Sequence, residues 1–132
     1  MRTSNFLIIP AVALMLGFAA CDPGHSGTSL IVNNSTYPIS IYFATNRLDT
    51  TILIPALTSS SIYSFGGLGS GKDYDCCPCE YLTITAVPED PFKNLIKSIE
   101  DPDNWELENP NKREFSSKPI ECIFTIEESD IQ

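Results

Sequence analysis

Residues 39–44 read Ile-Ser-Ile-Tyr-Phe-Ala, so Ile39, Ile41 and Phe43 alternate with Ser40, Tyr42 and Ala44. A period of two sends successive side chains to opposite faces of an extended chain, which predicts a strand with one buried face. The pattern recurs where Leu82, Ile84 and Ala86 alternate with Thr83 and Thr85, and where Cys122, Phe124 and Ile126 alternate with Ile123 and Thr125. Apolar or β-branched runs at Ser29 to Val32, Thr51 to Ile54 and Ser60 to Phe65 add further strands. Between them stand turn residues: Asn33-Asn34-Ser35, whose asparagines tolerate positive φ, and Pro55 with the serines after it. The expected fold is mainly β, an antiparallel β-sandwich of immunoglobulin-like or related type.

One segment has a different period. Asp90-Pro91 offers an N-cap and a first-turn proline, and Phe92, Leu95, Ile96 and Ile99 follow at i, i+3, i+4 and i+7. This spacing predicts one short amphipathic helix on the sandwich, with Lys93 and Lys97 on its far side, ending before Asp101-Pro102. The chain from Asp101 to Lys118 is polar and dotted with prolines, and Trp105 and Leu107 are its expected points of attachment.

The amino terminus carries an address. Met1-Arg2 is basic, Phe6 to Phe18 is almost wholly apolar, and Ala19-Ala20-Cys21 follows, the order of a secretion signal with a small-residue cleavage site. Phe18-Ala19-Ala20-Cys21 resembles the bacterial lipobox, which implies diacylation of the Cys21 thiol, cleavage before it and acylation of the new amino group. Pro10 interrupts the apolar run, which is too short to span a bilayer comfortably. The expected organisation is a signal peptide over 1–20, a lipidated tether over 21–29 and a single domain over 30–132. His25, the one histidine, falls in the tether and is expected to be solvated. Acyl chains on Cys21 would hold the domain on a membrane. Asp22 retains a lipoprotein in the inner membrane only under the sorting rules of enteric bacteria and so does not fix which membrane is occupied; the outer membrane is expected over the inner.

Removing residues 1–20 takes away Arg2 and leaves 17 acidic residues against 7 basic ones, a net charge of −10. Nucleic acid is not an expected partner, because its binding depends on basic patches. Anionic lipid surfaces are disfavoured for the same reason. A lone histidine in a tether also argues against Ser-His-Asp and Cys-His hydrolase sites, and no catalytic residue is assigned.

Residues 65–81, Phe-Gly-Gly-Leu-Gly-Ser-Gly-Lys-Asp-Tyr-Asp-Cys-Cys-Pro-Cys-Glu-Tyr, imitate two active sites. Gly66 to Lys72 has P-loop spacing, but Asp73 replaces the hydroxyl residue that would hold Mg²⁺, and Asp73 and Asp75 would repel phosphate. The glycines instead read as a flexible loop between strands. Cys76 and Cys79 have the C-x-P-C outline of a thiol-disulfide centre. Such a centre needs its first cysteine at a helix N-terminus, whereas a strand-like sequence follows here. Four thiols remain after Cys21: Cys76, Cys77, Cys79 and Cys122. Adjacent cysteines suit tetrahedral zinc poorly, so no metal or other cofactor is assigned, and an oxidising compartment favours disulfides. Cys122 shares a face with Phe124 and Ile126, which suggests a bridge from it to Cys77 or Cys79. The remaining two thiols would pair within the cluster or stay reduced.

The lipobox, the strand ending in Asn33-Asn34-Ser35, the aromatic strand Ile39 to Phe43, Asp49-Thr50-Thr51 and the closing Phe124 to Ile131 together resemble the small envelope lipoproteins of Bacteroidota. The resemblance implies a β-rich fold in the cell envelope without an assigned activity. It also implies that Asp49-Thr50-Thr51 is an O-glycosylation signal with Thr50 as acceptor. The expected function is a lipid-anchored envelope module, binding or structural, with a protein or glycan partner reached through loops or through aromatics such as Tyr42, Tyr63 and Trp105. The alternative is a membrane-tethered thiol-disulfide oxidoreductase using Cys76 and Cys79.

Overall fold

In a computed structural model that describes residues 24–69, 71–79, 83–112 and 118–132, the alternating segments form two sheets. In chain order the strands are β1 (Gly24–Asn33), β2 (Ile39–Ala44), β3 (Asp49–Ile54), β4 (Thr58–Leu68), β5 (Thr83–Pro88), β6 (Trp105–Glu108) and β7 (Ile120–Ile126). One sheet has the order β4-β1-β7-β6 and the other β3-β2-β5. Every pairing is antiparallel except that of β1 with β7, which run parallel in the middle of the larger sheet. The inner faces follow the period of two. Ile39, Ile41 and Phe43 of β2 and Cys122, Phe124 and Ile126 of β7 are fully buried, joined by Ile31, Ile54, Ile62 and Ile84 from other strands. Each of these isoleucine and phenylalanine side chains contributes about 1.5–3 kcal/mol by leaving water.

Three expectations need correction. β1 begins at Gly24, inside the stretch read as a tether, and Gly24 to Ser29 pair with β4 over most of that length. Gly66 and Gly67 likewise belong to β4, opposite Ser26 and His25, so the glycine run is strand before it becomes loop. The alternation was invisible there because neither partner segment carries apolar residues in series.

The third correction is the helix. Phe92 to Ile99 is extended, and its burial alternates: Lys93, Leu95, Lys97 and Ile99 turn inward while Phe92, Asn94, Ile96 and Ser98 are exposed. The carboxy-terminal tail imposes this. Asn94 and Gln132 exchange backbone hydrogen bonds, Ile96 N–H donates to Asp130 O, and Leu95 bridges Ile131. Lys97, expected to face away, donates from Nζ to Thr125 O at 2.7 Å and sits 5.1 Å from the Phe124 ring centroid. The aliphatic stems of Lys93 and Lys97 lie inward where leucines would have signalled a strand. Asp90 caps a single turn, accepting from Phe92 N–H, and goes no further. Among the described residues the only helical pieces are three-residue 3₁₀ turns.

The Asn33-Asn34-Ser35 turn is built from side chains, not from positive φ. Asn33 is fully buried, its Nδ2 reaching Tyr37 O at 2.8 Å, Pro55 O at 3.1 Å and Ile54 O at 3.4 Å. Its Oδ1 accepts from Ser35 N–H and Ser35 Oγ. Asn34 and Thr36 then tie the turn to the carboxylates of Glu127 and Glu128. This closes one end of the sandwich.

Candidate functional site

The opposite end is closed by the chain that follows β4. Gly69 and Gly71 take positive φ there, 98° and 66°, and a Cβ on Gly71 would press against His25 Cβ. The loop is therefore turned tightly back over the start of β1. His25 Nδ1 lies 3.1 Å from Gly69 O, so the histidine read as solvated instead holds the loop. Asn109 Nδ2 donates to Gly71 O and Tyr74 O, each at 2.9 Å, pinning the loop from the far side.

The cysteines complete the fastening. Of the partners left open for Cys122, the structure has Cys77, with Cα atoms 5.7 Å apart and both residues buried. Cys76 and Cys79 face each other at a Cα separation of 5.6 Å and both are exposed. The Cys77–Pro78 peptide is cis. All four thiols thus stand at disulfide distance in two pairs that interleave along the chain. The pair Cys77–Cys122 joins the loop to the inner face of β7, and the next described element after Cys79 is strand β5, not a helix. Among the described residues Gly66 to Lys72 likewise leads to no helix that would receive phosphate.

Pinning the loop brings Tyr74 against Phe65, with ring centroids 5.0 Å apart and planes within 14° of parallel. Phe65 lies over Gly27, where any side chain would collide with its ring. His25 stands 6.3 Å from Tyr74, tilted. Tyr63 lies along the same wall. Facing these rings is the β2–β3 turn, Thr45 to Arg47, shaped by Thr45 Oγ1 accepting from the backbone N–H groups of Arg47 and Leu48. Between wall and turn runs an open groove of about 500 Å³. No acidic residue is among its described lining, although the chain has 17 acids against 8 bases. A second hollow, of about 560 Å³, runs along Leu107, Glu108, Pro110, Lys112 and Glu121, with charges of both signs and no aromatic ring.

The other sequence candidates fall elsewhere. Trp105 is core: it packs on Phe124 at 5.3 Å and donates from Nε1 to Ile99 O at 2.8 Å, so it is not a surface anchor. Tyr42 lies on the outer face of β2 between Thr51 and Thr85, and its hydroxyl pKa is raised by the negative charge of Asp49, by partial desolvation and by a hydrogen bond to Asp49. Thr50 is half-buried on the face of β3 that also carries Ile52 and Ile54, a poor presentation for a glycosylation acceptor. Cys21 lies outside the described residues. Among the described residues no group of three or more His, Cys, Asp or Glu side chains is arranged to hold a metal ion. The sequence marks Tyr63 but not Phe65, Tyr74, His25 or Arg47 as a site; they are spread along the chain and meet through the pairing of β1 with β4 and through loop closure. No family model matches this chain, and no curated protein or solved structure matches it either.

Proposed function

We propose that this chain is a lipid-anchored binding module of the bacterial cell envelope, whose ligand, a glycan or a protein, occupies the groove between the aromatic wall and the Thr45–Arg47 turn. The amino-terminal signal and lipobox support the address. One observation carries the site: Tyr63 and Phe65 of β4, His25 of β1 and Tyr74 of the loop line one concave surface beside an exposed guanidinium, and the loop is held by the Cys77–Cys122 pair and the half-buried Asn109 amide. Ligand sites take this form, mostly apolar or aromatic walls with a few placed polar groups. A Tyr63→Ala, Tyr74→Ala double variant should keep the fold and lose envelope ligands recovered by crosslinking from intact cells. Cys21→Ala should release the protein from membranes in cell fractionation. Unchanged crosslinks in the double variant would sink the groove as the site.

A second reading, a membrane-tethered thiol-disulfide oxidoreductase, is favoured by the exposure of Cys76 and Cys79 and by their spacing. Against it, the described residues place no helix amino terminus at Cys76 that would lower its thiol pKa. An insulin-reduction assay separates the two: the binding module gives turnover at the uncatalysed rate, and an oxidoreductase gives turnover that Cys76→Ser abolishes.

A further inference from the structure

If Cys21 carries the anchor, the groove is brought to the bilayer. Only Asp22 and Pro23 separate Cys21 from the first residue of β1, Gly24, and His25 already lines the groove. Whatever their conformation, those three chain steps reach at most about 10–11 Å. The Asn33 end of β1 lies about 30 Å further along the strand. The groove end also presents Leu68, 84 % exposed beside Gly24 in the β1–β4 register, and Leu48, exposed in the β2–β3 turn. These are side chains suited to the lipid–water boundary.

The electrostatics of the groove then become informative. With a net charge of −10 the mature domain is repelled by an anionic bilayer as a whole, and Asp73 and Asp75 stand exposed on the loop itself. General charge attraction therefore does not hold this end to lipid. Arg47 is nevertheless exposed at the groove, and among the described residues its guanidinium has no carboxylate or hydrogen-bond partner. A guanidinium fork matches a carboxylate or phosphate in two parallel hydrogen bonds. Aromatic side chains beside it offer flat, amphipathic surface to a ring-shaped polar ligand.

We propose that the groove is a membrane-facing site for an anionic sugar headgroup of the same bilayer, with Arg47 pairing with the acid and Tyr63 and Tyr74 receiving the sugar ring. This rests on the reading of the chain as a lipid-anchored module with its ligand in this groove. Tethering makes the encounter intramolecular, so a weak intrinsic affinity is enough to fill the site at millimolar effective headgroup concentration. The partner thus lies in the membrane and not in the space beyond it.

The test uses acylated protein in nanodiscs of neutral phosphatidylcholine, doped with a glucuronosyl, a glucosyl or a phosphatidylglycerol lipid, with backbone amides followed by NMR. Shifts at Asn46, Arg47, Tyr63 to Gly66 and Tyr74 should saturate with the glucuronosyl lipid at the lowest mole fraction. Arg47→Gln should raise that fraction roughly ten- to a hundredfold, and Arg47→Lys less. Lys93→Gln, outside the groove, should change nothing. Equal response to phosphatidylglycerol would show charge without sugar recognition, and equal response to the glucosyl lipid would remove Arg47 from recognition; either overturns the proposal. Groove shifts with soluble glucuronate oligomers but none with the doped nanodiscs would leave the groove as the site and overturn its membrane-facing role. A groove silent to every probe, in protein that fractionates with membranes, would overturn both.

Discussion

At one end of the sandwich Asn33 lies fully buried, sharing its amide among Tyr37, Ile54, Pro55 and Ser35. At the other, a glycine-rich loop is held over the start of β1 by Cys77–Cys122, by Asn109 and by His25. Both ends face the same problem, a turn whose backbone must be fixed. The Asn33 end solves it inside the core, where a satisfied polar network is strong and specifies one arrangement. The groove end has little apolar side chain to bury between Gly66 and Asp75, so packing alone would leave it loose. Fastening it by a covalent link and a few side-chain hydrogen bonds to its carbonyls leaves Tyr63, Tyr74 and Arg47 at the surface. The difference separates an end fixed from within the core from an end whose fastening leaves side chains at the surface.

The largest expected effect comes from cutting the covalent fastening. Cys77 and Cys122 are 45 residues apart in sequence, and closing a loop of that size stabilises a chain by about 4 kcal/mol in the chain-entropy treatment. Cys122→Ser should therefore lower stability by about that amount in denaturant titration. Hydrogen exchange should accelerate first at Gly71 to Cys79 while Ile39, Ile41 and Ile54 keep their protection. Uniform acceleration at both ends would mean that the bridge supports the whole sandwich and that the contrast between its ends is false.

Asn33→Ala attacks the other end. It strips hydrogen bonds from three carbonyls and two Ser35 donors in a buried setting, a loss of about 2–3 kcal/mol. Because Asn33 and Cys122 share no partners and lie at separate positions along the strands, the two losses should add in the double variant. A clear departure from additivity would couple the ends. Reducing agent should worsen neither the midpoint shift caused by Asn33→Ala nor the exchange at Ser35 to Tyr37.

The sequence was most legible where one physical cause acted alone. β2, β5 and β7 show alternation because each buries one face and leaves the other at least partly in solvent, and that signal survives without knowledge of the neighbours. The segment from Phe92 to Ile99 misled because Phe92, Leu95, Ile96 and Ile99 fit a helical stripe by residue type, whereas the tail from Asp130 to Gln132 pairs with it and selects a period of two. Lys93 and Lys97 then fill inward positions through their stems, which a hydropathy pattern counts as polar. β6 was hidden in a polar stretch for a related reason: Trp105 and Leu107 face the core, but Glu106 and Glu108 with nearby prolines mask four residues of strand. The groove was the least legible part. Tyr63 and Phe65 come from β4, Arg47 from a turn, His25 from β1 and Tyr74 from a loop, and nothing in their spacing brings them together. Only the cysteines hinted at it, since a bridge from Cys122 to the cluster requires residues 65–79 to fold back onto β7.

The smallest expected effect is a pH dependence at the groove end of the outer sheet face. The carboxylate of Asp49 raises the pKa of Tyr42 above its ordinary value of 10.0, assisted by partial desolvation and by a hydrogen bond between them. In the unfolded chain that neighbour is lost and Tyr42 ionises near its ordinary value. Between the two values the folded state binds the proton more tightly, so stability declines as pH rises through that window and the contribution is intact below it. Spectrophotometric titration should show Tyr42 ionising late, and Asp49→Asn should bring its ionisation back toward the ordinary value. The Asp49→Asn protein should also lose less stability than the parent between pH 10 and higher pH, by an amount that shrinks with added salt because the pair is solvent-facing. If alkaline loosening begins instead at the Asn33 end, in exchange measured at Ser35 to Tyr37, then that end is the more fragile of the two, and the division into a rigid end and a presenting end would have to be reversed.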